Sequence, residues 1–129
     1  MIVLDASAMI EWLFCTPSGL KIEHRAMADG DISAPHLIDL EVAQALRKFV
    51  RAQKITMPRG EQALDDFRAM DITRYAHEGF LNRIWNLSDS CTAYDAMYIA
   101  LAESLHAVVL THDQKLAAAH GHKAKIELI

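Results

Sequence analysis

Residues 92–113, TAYDAMYIALAESLHAVVLTHD, hold the pattern on which the fold turns. From Thr92 to His106 apolar side chains recur at helical spacing. From Ala107 to Leu110 they form an unbroken run that leads through Thr111 and His112 to Asp113. A helix thus gives way to a short buried strand with an acid at its carboxyl end. The first residues repeat the theme: Ile2 to Leu4 form a second apolar run, it ends at Asp5, and a helical pattern follows over Ala6 to Phe14.

Between these two strand-and-acid units, helical patterns occupy Gly19 to Ala28, Leu37 to Gln53, Pro58 to Met70 and Phe80 to Asn86, and another follows at Gln114 to His120. Weaker strand signals lie at Ile32 to Ala34, Ile72 to Tyr75 and Lys125 to Leu128, the last alternating like an edge strand. Apolar strands separated by helices predict an α/β domain with a mainly parallel sheet, since parallel neighbours need crossover connections. Pro17, Ser18 and Gly19 mark a turn, Asp29 to Asp31 another, and Gly121 stands where a helix C-cap is expected. With no repeat and no linker-like stretch, residues 1–129 are expected to form a single domain.

Composition supports a packed core: 52% of the 129 residues are hydrophobic and 23% charged, unlike a disordered chain. No apolar run approaches a membrane span, and the opening MIVLDASAM has no basic n-region, so a cytoplasmic globular protein is expected. Cys15 and Cys91 form no disulfide framework or zinc spacing and are read as buried thiols. The formal charge of −4 argues against binding nucleic acid through bulk positive charge, but not against a nuclease that engages phosphate through cations held by carboxylates.

Four acids stand out by position. Asp5 and Asp113 each follow a strand at its carboxyl end, the side on which open α/β sheets bind ligands. Glu41 lies near the start of the helix in HLIDLEVAQALRKF, and Asp95 in the first turn of TAYDAMYIALAESL. Each has a plainer reading: Asp5 and Asp113 as helix N-caps, Asp95 as the acid of a capping box begun by Thr92, Glu41 as a solvated helix residue. Ile99 and Ala102, four and seven residues past Asp95, set its carboxylate above an apolar face that a cap does not require. Four carboxylates within about 5 Å repel by roughly 3 kcal/mol per pair at an effective dielectric of 20, so such a cluster calls for a cation. Oxygen-only ligands select Mg²⁺ or Mn²⁺, which suit phosphodiester hydrolysis. Ser7 and Thr111, each two residues from an acid, are candidate supports for carboxylates and waters.

MIVLDASAMI, APHLIDLEVAQALRK, TAYDAMYIALAESL and VVLTHDQKL, in that order, resemble the acidic motifs of PIN-domain ribonucleases, and especially of the VapC toxins of bacterial toxin-antitoxin pairs. The resemblance implies a three-layer α/β/α domain with a five-stranded, mainly parallel sheet. It implies that Asp5, Glu41, Asp95 and Asp113 form a catalytic, metal-binding quartet for Mg²⁺, with Mn²⁺ as substitute, supported by Ser7 and Thr111. It further implies cleavage of single-stranded or looped RNA, a small VapB-like antitoxin and a homodimer.

Arg47, Lys48, Arg51 and Lys54 form a basic stripe beyond Glu41, a candidate RNA rim whose plainer and commoner reading is a solvated helix face. Trp12, Trp85, Tyr94 and Tyr98 are explained by packing as readily as by base stacking. The Ile10, Leu13, Phe14 stripe fits a dimer contact or the core. His120 and His122 lack a third ligand for zinc, and His112 is read as buried. Two other functions compete. A haloacid-dehalogenase-like phosphohydrolase would use Asp5 as nucleophile, but it wants an acid where Ser7 stands. A non-catalytic module would keep the fold and bind RNA or protein.

Overall fold

The computed structural model describes residues 1–129. Five strands, β1 (Ile2–Leu4), β2 (Ile32–Pro35), β3 (Thr73–Tyr75), β4 (Val108–Thr111) and β5 (Lys125–Leu128), form one sheet in the order β3-β2-β1-β4-β5. Every pairing is parallel. Strands β2 and β3 extend the sheet to one side of β1, β4 and β5 to the other. The order therefore reverses beside β1, and the carboxyl ends of β1 and β4 flank the crevice where such sheets bind ligands.

Helices α1 (Ala6–Leu13), α2 (Pro17–Asp29), α3 (Leu37–Arg51) and α4 (Met57–Ala69) make the connections from β1 to β3. Helices α5 (Leu81–Asn86) and α6 (Ala93–Leu105) lead into β4, and α7 (Gln114–Ala117) into β5. Alternation along β1 divides the core accordingly. Ile2 and Leu4 pack with Met9, Ile22, Ile38, Val42 and Phe67 from the first four helices, whereas Val3 packs with Met97, Ile99 and Leu101 of α6. This is the three-layer α/β/α arrangement. Helix α6 is buried at every residue from Ala96 to Ala102, and its alanines let it lie close on the sheet. No helix is long and apolar enough to cross a membrane.

All five expected strands are present, with β5 at an edge as its alternation implied. Helix ends differ more. Helix α2 begins at Pro17, inside the expected turn, because Thr16 caps it and proline is preorganised for the first helical position. Helix α3 stops at Arg51, and Gln53 takes a left-handed conformation, so Lys54 lies off the helix. Helix α7 ends at Ala117, so Gly121, with φ of 77°, serves a later turn and not its C-cap. The cysteines are not both buried: Cys15 is exposed and Cys91 half-buried. His112 is exposed too. Ile10 and Leu13 are buried within the chain's own core, with Phe14 packed against it.

Helices α1 and α2 approach each other most closely at Gly19, where a Cβ would stand 1.9 Å from the Glu11 carbonyl oxygen. Gly19→Ala is expected to destabilise the protein by about 1–3 kcal/mol as the helices are forced apart, read as a lower urea midpoint; an unchanged midpoint would show that this contact yields freely.

Candidate active site

The site grows from the end of β1. Asp5 leaves the strand in an extended conformation and caps α1, its Oδ1 accepting the Ala8 N–H at 2.9 Å. Ser7 Oγ donates to Oδ1 at 2.8 Å and lies 3.0 Å from Oδ2. Thr111, at the end of the neighbouring strand β4, donates to Oδ2 at 2.7 Å. Each hydroxyl is itself oriented: the His112 N–H donates to Ser7 Oγ and the Asp113 N–H to Thr111 Oγ1, both at 2.9 Å. Two hydrogen-bond chains from the β4–α7 turn thus run through these hydroxyls and end on one carboxylate. Burial nevertheless outweighs these bonds and raises the Asp5 pKa from 3.8 to about 6, with the Asp113 charge adding to the rise.

Glu41 projects from the second turn of α3 toward α6. The phenol of Tyr98 donates to its Oε1 at 2.7 Å. Burial, chiefly, and the charges of Asp95 and Asp113 raise the Glu41 pKa against this bond. Tyr98 is almost wholly buried and its own pKa is driven far up, by burial first and then by Glu41, so it remains a proton donor. Asp95 sits in the first turn of α6, where only half of the capping box forms: its N–H donates to Thr92 Oγ1 at 3.1 Å. Burial and then Asp113 raise the Asp95 pKa, with Lys115 opposing. Asp113 caps α7, its Oδ1 accepting the Lys115 N–H at 2.9 Å.

The four acids therefore face one mouth of the sheet. Asp113 acts electrostatically on each of the other three, and Asp95 on Glu41. None of the four enters a salt bridge. No three acidic, histidine or cysteine side chains close into a cage, and mutual repulsion between carboxylates favours their separation. His112 faces away, its ring directed to the Ile129 carbonyl and to Glu11.

The basic stripe divides. Lys48 lines a groove shared with Glu41 and Tyr94. Arg47 and Arg51 instead border an apolar groove between α3 and α4, with Val50, Met57 and Leu64, and Lys54 lines a separate groove with Ile55, Phe14 and Phe49. Sequence reasoning placed Tyr98 with the packing aromatics and missed its bond to Glu41. Its position three residues after Asp95, on the same side of the helix, was the available signal.

A doubly wound parallel sheet with carboxylates gathered at its switch point defines a class of α/β domains whose ligands bind at the strand ends. The PIN domain family model matches residues 2–121. Ribonuclease VapC12 of Mycobacterium tuberculosis is 37% identical over 129 residues, covering 100% of this chain and 99% of that protein. Ribonuclease VapC1 of the same organism is 34% identical over 128 residues, covering 98% and 96%. The fold is shared with a chain in the crystal structure of VapBC2 from Rickettsia felis bound to a DNA fragment from their promoter, at a TM-score of 0.70, 12% identity, and coverage of 100% and 99%. The chain belongs to the PIN-domain family and, within it, to the VapC group.

The raised pKa of Asp5 has a signed consequence. Between pH 3.8 and about 6 the folded state keeps a proton that the unfolded chain has lost, so this contribution to stability is full below pH 3.8 and disappears as pH rises through 6. In metal-free buffer, the melting temperature of Asp5→Asn minus that of the parent is expected to grow from pH 4 to pH 7 and then level off. A difference constant with pH would contradict the burial of an ionisable Asp5.

Proposed function

We propose that the chain is a metal-dependent endoribonuclease, the toxin of a toxin-antitoxin pair, with Asp5, Glu41, Asp95 and Asp113 as its catalytic and metal-binding acids. The observation that carries this reading is the uncompensated acidic cluster: four carboxylates at one strand-end crevice, each with a raised pKa or raising the others, and none neutralised by a protein cation. The donor set fits a hard divalent ion. It offers carboxylate oxygens without sulfur or imidazole, and their separation leaves room for waters and a substrate phosphate, as Mg²⁺ prefers.

Bound there, Mg²⁺ or Mn²⁺ would supply neutralisation of phosphate charge and a lowered pKa for water. The chain's own residues do the rest. Ser7, Thr111 and the Ala8 N–H hold both oxygens of Asp5 in one orientation, and Tyr98 fixes one oxygen of Glu41 while leaving the other free. Asp113 spends one oxygen on its helix cap and keeps the second. Lys48, along α3 from Glu41, is the basic side chain best placed to meet a flanking phosphate. The phosphohydrolase alternative loses ground on the same geometry, because an Asp5 whose two oxygens both accept hydrogen bonds is poorly disposed as a nucleophile.

The names of the relatives and the VapBC2 neighbour support a small VapB-like antitoxin as partner. An arginine from that partner would satisfy the acidic cluster by the same charge logic that draws a cation. A homodimer, a cytoplasmic setting and a single PIN domain over residues 1–129 belong to the same proposal.

RNA incubated with Mg²⁺ or Mn²⁺ should be cut internally by the native chain, and Asp5→Asn and Asp95→Asn should each lower the rate by on the order of 100-fold or more. Cutting by both variants at the native rate would reject the quartet. Millimolar Mg²⁺ should also raise the melting temperature at neutral pH, and less so in either variant; an unchanged melting temperature throughout would remove the metal from the proposal.

A further inference from the structure

Helix α6 turns two tyrosines toward α3, one helical turn apart. Tyr98 is buried and its hydroxyl is engaged by Glu41. Tyr94 is 63% exposed, although it immediately precedes Asp95. Between Tyr94 and α3 lies a groove of about 440 Å³, lined by Leu37, Leu40, Glu41, Gln44, Ala45 and Lys48. The α3 residues 37, 41, 44 and 48 follow helical spacing along one face, so the groove runs continuously from the acidic cluster at Glu41 to Lys48, about 10 Å farther along the axis.

Its chemistry is specific. At one end is a carboxylate of the proposed catalytic cluster, and at the other an ammonium that enters no ion pair. Between them lie an open aromatic ring, the 74% exposed side chain of Leu40, and the Gln44 amide, which can both donate and accept. We infer that this groove is a nucleobase subsite, in which one unpaired base next to the scissile phosphate stacks on Tyr94, with Gln44 at its edge and Lys48 at the following phosphate. The inference rests on the ribonuclease reading and deepens it, by assigning Tyr94, Gln44 and Lys48 to one nucleotide of the single-stranded or looped RNA that the family resemblance implies. A base still in a duplex presents no free face to Tyr94, whereas an unstacked one does. A protein partner is the less favoured occupant, because the groove joins the acidic cluster directly and ends at a cation that no carboxylate pairs.

The test uses the full chain carrying Asp5→Asn, in Mg²⁺, with a fluorescein-labelled single-stranded hexauridylate followed by anisotropy. Adding Tyr94→Ala should weaken binding about tenfold, and Tyr94→Phe should restore it, because stacking needs the ring and not the hydroxyl. Lys48→Ala should weaken binding and reduce the slope of log affinity against log salt by about 1. A fully paired RNA stem should compete poorly. Both side chains are exposed, so unchanged melting temperatures verify that the variants fold. Equal hexauridylate binding by the Tyr94 variants, or no binding by the Asp5→Asn chain, would overturn the subsite and leave the groove to a protein partner. In the otherwise native chain, Tyr94→Ala should raise KM with kcat little changed. RNA left uncut by the native chain would overturn the ribonuclease reading, whereas normal cutting with Tyr94-independent binding would overturn the subsite alone.

Discussion

A carboxylate almost removed from water governs this molecule. Asp5 stands where β1, α1 and the end of β4 meet, and it is held by donors from α1, Ser7 Oγ and the Ala8 N–H, and from the end of β4, Thr111 Oγ1. Desolvation makes its charge costly, and the hydroxyls of Ser7 and Thr111 with the Ala8 N–H offset only part of that cost. The remaining penalty keeps the mouth of the sheet receptive to a positive partner. It also ties that receptivity to the fold, because the donors are in place only when β4 lies beside β1 in its parallel register.

Structural and chemical roles coexist in the same residues. Asp5 and Asp113 were open to reading as caps, and both are caps. A carboxylate has two oxygens and about four lone-pair directions, so one backbone N–H does not exhaust it. At Asp113 the cap takes Oδ1 and fixes the rotamer, which points the other oxygen. The cap is thereby a means of preorganisation. Thr92 plays the matching part for Asp95: by accepting the Asp95 N–H it starts α6 in register, while the missing return bond leaves the Asp95 side chain to the mouth.

The skeleton of the fold was legible because its strands are short, apolar and followed by acids, a pattern that survives without tertiary information. The four acids, Ser7 and Thr111 were legible for the same reason, since each lies at or near the end of a regular element. What escaped notice depended on packing between distant segments. Tyr98 lies in an apolar helix and looks like core until α3 brings Glu41 within 2.7 Å of its hydroxyl. The four basic residues after Glu41 looked like one stripe, but helix rotation sends Arg47 and Arg51 toward α4, and the end of α3 removes Lys54. Cys15 was read as buried by residue type, yet it occupies a left-handed position in the connection between α1 and α2, where its side chain projects outward.

Helix α6 shows how one short sequence serves three environments. Tyr94, Asp95 and Tyr98 fall within about one turn, yet they are respectively exposed, half-buried and buried. The difference follows from depth: the amino-terminal turn rises past the strand ends, whereas from Ala96 to Ala102 the helix lies against the sheet and is covered on every side. Charged or open side chains are confined to the two ends of α6, and those of the first turn land beside the crevice that the strand order creates. The apolar character of the rest of α6 is therefore part of the site's construction. It anchors the turn that carries Tyr94 and Asp95 to a rigid layer, so that their placement relative to Glu41 and Asp113 is set by the core instead of by a loop.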